Sequence, residues 1–175
     1  MTSTRIYIID TSAFVVLDTL FPFAQWQPIW DFLGVKVTEG VLKTIDEVEE
    51  ELKRKFYDLP ITDWVKMRRS EINYPYIPEH FQYLRQEVYP RCNGLINPNS
   101  TSTLYADPML LAIAGHDNHT LVTDEVLKEI HANTNPLKIK LPNHCSTLGV
   151  NCIWGRYAWT QLLNELGLQI TGFKT

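Results

Sequence analysis

The sequence predicts an α/β fold in which a parallel sheet of four or five strands is covered by helices on both faces and a helical insertion occupies roughly residues 58–99 of a single 175-residue domain. Two observations predict it. The run RIYIID at residues 5–10 is apolar without polar alternation, as expected of a strand buried on both faces of a parallel sheet. Further short β-rich runs follow, and stretches with helical periodicity separate them, the alternation that builds parallel sheets.

Taken in order, residues 5–10 form the central strand, and AQWQPIWDFLG at 24–34 is a helix begun or interrupted near Pro28. GVLKTI at 40–45 reads as the second strand, followed by a strongly charged helix from Thr44 to Phe56. PITDWVKMRRSEI and PEHFQYLRQEVYPRC give two helical stretches punctuated by Pro60, Pro75, Pro78 and Pro90, which make up the insertion. NGLINPNSTSTLYAD, residues 93–107, is polar and reads as a mobile surface loop before a helix that opens at Asp107. HTLVT and LGVNCI supply two more strands, a helix starts near Val126, and GRYAWTQLLNELG closes the chain as a helix stopped by Gly167.

Composition narrows the function. The longest apolar runs, FVVL and MLLAIA, fall far below the roughly 20 residues that span a bilayer, and the N-terminus lacks a basic segment followed by an apolar one, so a cytoplasmic protein is expected. Cys92, Cys145 and Cys152 are too few for a disulfide framework, and without a C-x-x-C or ligand spacing among the five histidines a zinc site is not expected. A net charge of −4 argues against a protein that coats nucleic acid, while leaving room for a local basic groove.

The acids carry the functional signal. Asp10 directly follows IYII, and Asp124 and Glu125 directly follow TLVT, so all three stand at the carboxyl ends of strands, where open parallel sheets bind ligands. Asp10 with Thr11 and Ser12 also suits a turn or helix cap, and Asp107 before Pro108 suits a helix start. Three or four carboxylates on one rim repel one another unless cations compensate, which points to Mg²⁺ or Mn²⁺ with hard oxygen ligands. In TIDEVEEELKRKF, Glu49, Glu50 and Glu51 each precede Lys53, Arg54 and Lys55 by four residues, a pattern a solvated face explains. Glu49 lies at least as near the stripe Ile45, Val48, Leu52, Phe56 as Glu51 does, so spacing does not choose between them.

Four short motifs together resemble the PIN-domain nucleases, the family of the PilT N-terminal domain and of VapC-type toxins: IIDTS at 8–12, V-x-x-E-L at 48–52, ADPMLLAIA at 106–114 and LVTDE at 121–125. The long insertion and the late LPNHCSTLGVNCI look like a less characterised PIN-like branch. The resemblance implies a Rossmann-like three-layer fold and catalytic, metal-binding acids at Asp10, Glu51 and Asp107, with Ser12 orienting the first. It places the fourth acid two residues after Thr123, at Glu125, where glutamate replaces the more usual aspartate and Asp124 is the alternative. It further implies Mg²⁺- or Mn²⁺-dependent endonucleolytic hydrolysis of RNA, with an antitoxin or a second copy of the chain as protein partners.

Lys53, Arg54, Lys55, Lys66, Arg68 and Arg69 bracket Tyr57 and Trp64, a combination suited to phosphate contact and base stacking, or to solvated helix faces around a core tryptophan. A haloacid-dehalogenase-type phosphatase would need an aspartate where Ser12 stands, and a receiver domain an acidic pair where Thr11 follows Asp10. The rival reading from another class is a catalytically silent PIN-like module that binds RNA or protein.

Overall fold

Tyr7–Ile9 (β1) is buried along its whole length, and in the computed structural model, which describes residues 5–92, 94–95 and 106–168, it lies inside a four-stranded parallel sheet of order β2-β1-β3-β4. The partners are Leu42–Lys43 (β2), Thr120–Thr123 (β3) and Asn151–Trp154 (β4). Tyr7 pairs with Leu42 and Thr120, and Thr123 pairs with Trp154, which sets the carboxyl ends of β1, β3 and β4 on one rim. β1 and β3 are covered on both faces and read as unbroken apolar runs, whereas the edge strand β4 alternates and leaves Asn151 and Trp154 exposed.

β1 passes straight into Thr11–Leu20 (α1), capped by the Asp10 side chain, which accepts from the Thr11 amide. Gln27–Thr38 (α2) starts at Pro28, whose missing amide hydrogen costs nothing in a first turn. Asp46–Lys55 (α3) buries Val48, Glu49 and Leu52 and follows β2. Pro60–Met67 (α4), Arg69–Ile72 (α5), Pro78–Tyr83 (α6), a π-helical turn at Leu84–Val88 and Tyr89–Arg91 (α7) form the helical insertion. Its Ile61, Trp64, Val65, Ile72 and Val88 enter the same hydrophobic core as the sheet.

Ala106–His116 (α8) is buried at eight of its positions, because it runs between the sheet and the insertion. Gly115 permits that packing: a Cβ there would come within 2.7 Å of the Tyr83 hydroxyl. Leu141–Leu148 (α9) and Ala158–Glu165 (α10) complete the layers, and the Trp159 indole ties α10 to the Ala13 carbonyl at 2.6 Å. No helix among the described residues is long and apolar enough to cross a membrane.

Three expectations need correction. The helix expected near Val126 is absent: residues 124–140 carry only a 3₁₀ turn at Pro136–Lys138, exposing Val126, Leu127 and Ile130. The strand expected from Leu148 begins only at Asn151, because Leu148 ends the helix α9, in which burial of Leu141, Cys145 and Leu148 overrides the poor helix propensity of its Pro, Asn, Ser and Thr. The strand at 40–45 shrinks to two residues, since Thr44 leaves the sheet to pair with Asn73 of the insertion. The loop expected at 93–107 falls largely outside the described residues.

Candidate functional site

Asp10 leaves β1 at the rim and is held on both carboxylate oxygens. Oδ1 accepts from the Thr11 amide at 2.6 Å, and Oδ2 accepts from the Ser12 and Thr123 hydroxyls at 2.6 and 2.8 Å. Those hydroxyls accept in turn from the amides of Asp124 (3.1 Å, Ser12) and Glu125 (3.2 Å, Thr123), so β1 and β3 are laced together at their ends. Thr11 also reaches across to α3, where its hydroxyl donates to Glu51 Oε2 at 2.9 Å.

These contacts surround a cleft of about 440 Å³ lined by Asp10, Glu51, Asp107 and Glu125, together with Arg54 and Lys55. Four carboxylates thus arrive from four separate places in the chain. Asp124 does not line the cleft, consistent with successive residues leaving a strand on opposite sides. Burial pushes the Asp10 carboxyl up, against the pull of its hydroxyl and amide donors. Asp107 is pushed up to about 8, first by burial and then by the neighbouring charges of Asp10, Glu125 and Glu51, with Lys140 opposing them.

Glu125 has a second occupation. Oε1 accepts from Lys140 Nζ at 2.5 Å and Oε2 from the Leu141 amide at 2.8 Å, so it caps the N-terminus of α9 and closes the base of the 124–140 segment. Nothing local announces this contact, because its partners stand 15 and 16 residues downstream.

The ambiguity between the glutamates of α3 ends here. Glu49 is 2% exposed and pairs with Lys53 at 2.6 Å and Arg69 at 3.3 Å, making it a structural acid, whereas Glu51 turns to the cleft. The basic stretch divides accordingly. Lys53 and Arg69 are engaged with Glu49, Glu50 and Asp46, and Arg68 lies over the Trp64 ring at 4.5 Å. Trp64 is 2% exposed and packs on Trp30, so it offers no face to a base. Lys66 lines a different cleft with Arg69 and Tyr76, so of this stretch Arg54 and Lys55 line the acid cleft, Lys55 lying 3.8 Å from Glu51. Arg69→Ala is expected to lower the melting midpoint, because it takes one of two cations from a buried carboxylate. Thermal denaturation checks this, and an unchanged midpoint would mean that Lys53 alone suffices.

A second cluster stands at the opposite end of the sheet, where α8 ends and β3 begins. The ligand atoms of His80, His116 and Asp117 all lie within 4.8 Å of one another, so this group could hold a metal ion. Asp117 accepts from Tyr74 at 2.7 Å and meets His80 Nε2 at 2.8 Å and His116 Nδ1 at 2.6 Å. The Ile77 amide donates to His80 Nδ1 at 3.2 Å, which leaves the ring proton on Nε2, facing Asp117. Burial alone would raise the Asp117 carboxyl, but the bonds from His116, Tyr74 and His80 outweigh it and hold it low. The histidines show no ligand spacing in sequence because His80, in the insertion, stands 37 residues from Asp117.

No curated protein and no solved structure matches the chain. Residues 7–166, from β1 through α10 and including every acid of the cleft, match a family described as a domain of unknown function, DUF4411, and the chain belongs to that family.

Proposed function

We propose that the protein is a metal-dependent endoribonuclease in which Asp10, Glu51, Asp107 and Glu125 hold Mg²⁺ or Mn²⁺ in the rim cleft. The observation that carries this reading is the convergence of four carboxylates in one cleft, where burial and then the neighbouring charges push Asp107 up to about 8. An all-oxygen donor set gathered in one cleft suits a hard divalent cation. Such an ion supplies a water of lowered pKa and positive charge for the phosphate oxygens. The chain's own contributions are separate: Ser12 and Thr123 fix the Asp10 carboxylate, Thr11 fixes Glu51, and Arg54 and Lys55 offer cations to the RNA backbone.

One observation favours the second reading, a silent binding module. Both Glu125 oxygens already have protein partners, so ligation would have to draw Glu125 partly away from Lys140. A metal titration of RNA cleavage in two variants separates the readings. Glu125→Gln is expected to lower activity and raise the Mg²⁺ concentration required, whereas Asp124→Asn changes neither and costs about 1 kcal/mol of stability or less. The reverse ranking would move the fourth acid to Asp124, and a wild-type protein that binds RNA but never cuts it would leave the binding module.

A further inference from the structure

We propose that the turn Trp154–Tyr157, which leaves β4 beside the acid cleft, is a stacking platform for single-stranded RNA, taking bases on Trp154 and Tyr157 and a phosphate on Arg156. The proposal rests on the ribonuclease reading for its choice of substrate and names a binding surface outside the cleft.

Three features carry it. Trp30, Trp64 and Trp159 are drawn into the core, and Tyr57 and Trp26 are exposed elsewhere, but Trp154 at 44% and Tyr157 at 56% exposure put two exposed aromatics within four residues of each other. Arg156 holds its guanidinium 5.0 Å from the centre of the Tyr157 ring, and among the described residues no carboxylate pairs with it, so a cation and a π-face are presented together. Arginine between exposed aromatics is the combination that grips a single strand, since every base has a face to stack and every phosphate a charge.

Position supplies the third feature. Trp154 is the register partner of Thr123, about one strand spacing of 4.8 Å away, and Thr123 Oγ1 donates to Asp10. The turn is fixed by hydrogen bonds from the Gly155 amide to the Thr123 carbonyl (3.1 Å) and from the Ala158 amide to the Gly155 carbonyl (2.8 Å). Gly155 takes φ +82°, a conformation that strains any other residue, and Val126, one residue beyond Glu125, lies beside it. A strand stacked on this turn therefore continues directly into the cleft, toward Arg54 and Lys55 beyond the acids.

The test is fluorescence anisotropy of a labelled 12-nucleotide oligouridylate with the full-length protein in chelator, where no metal-dependent cutting occurs. Trp154→Ala and Tyr157→Ala are each expected to weaken binding about tenfold, with the melting midpoint unchanged, and Trp154→Phe to retain most of the affinity. Arg156→Ala is expected to reduce the slope of log affinity against log salt by about 0.7. Affinity indifferent to Trp154→Ala and Tyr157→Ala overturns the proposal, whether because the wild type binds elsewhere or because it binds no RNA and the surface serves a protein. Binding that follows these variants in a protein that never cuts RNA upholds the platform and removes the ribonuclease reading instead.

Discussion

Asp10→Asn is expected to abolish Mg²⁺- or Mn²⁺-dependent RNA cleavage, a loss of about a hundredfold or more, while the protein keeps its fold. The substitution removes one charge from the middle of the cleft and hardly alters shape. Its carbonyl oxygen still accepts from the Thr11 amide, so the cap of α1 survives. The new amide nitrogen faces the Ser12 and Thr123 hydroxyls, which then accept where they had donated. Each already takes one backbone amide, from Asp124 or Glu125, and a hydroxyl oxygen has a second lone pair for the newcomer. A gel assay of cleavage with metal and with chelator, run beside a melting curve, reads both halves of the expectation. Cleavage that persists in the variant, or in chelator, would end the nuclease proposal.

The residues that announce themselves in sequence are those whose role is set by a buried strand and the residue after it. β1 and β3 are legible because burial on both faces leaves an unbroken apolar run, and Asp10 is legible because it follows such a run. Asp107 is placed by the apolar stretch it precedes, nearly all of which is buried as α8. Glu51 and Glu49 are not separable in the same way. Both lie on the inner side of α3, and what distinguishes them is tertiary: Arg69 arrives from α5 to neutralise Glu49, and Thr11 arrives from α1 to hold Glu51.

The same limit hides α9, the double engagement of Glu125, and the cluster around Asp117, because each depends on contacts between distant segments. Trp64 shows the error in the opposite direction. A tryptophan among arginines and lysines looks like a nucleic-acid surface, but its ring is in the core and Arg68 lies over it. Tyr57 of the same stretch is exposed, and two further exposed aromatics, Trp154 and Tyr157, stand in the turn at the end of β4, where the sequence reads simply as the approach to a closing helix.

The metal-free protein should become less stable as pH rises toward 8, and Asp107→Asn should remove that loss. In the unfolded chain the Asp107 carboxyl titrates near its ordinary 3.8, whereas in the fold it is pushed up to about 8. A group that binds its proton more tightly when folded adds stability that is complete below the unfolded value and disappears as pH climbs through the folded one. At about 1.4 kcal/mol per pH unit, the span from 3.8 to about 8 represents several kcal/mol, arising first from burial of the charge and then from the field of Asp10, Glu125 and Glu51 around it. Asparagine carries no charge to repel, so at pH 8 in chelator the variant should melt several degrees above the wild type. Added Mg²⁺ should then raise the wild-type midpoint, because the cation replaces the proton, and should leave the variant nearly unmoved. Melting curves at pH 5 and 8, with chelator and with Mg²⁺, contain all four comparisons. If Asp107→Asn is no more stable than wild type at pH 8 and gains as much from Mg²⁺, then Asp107 does not share a cation with the other acids, and the metal site contracts to Asp10, Glu51 and Glu125.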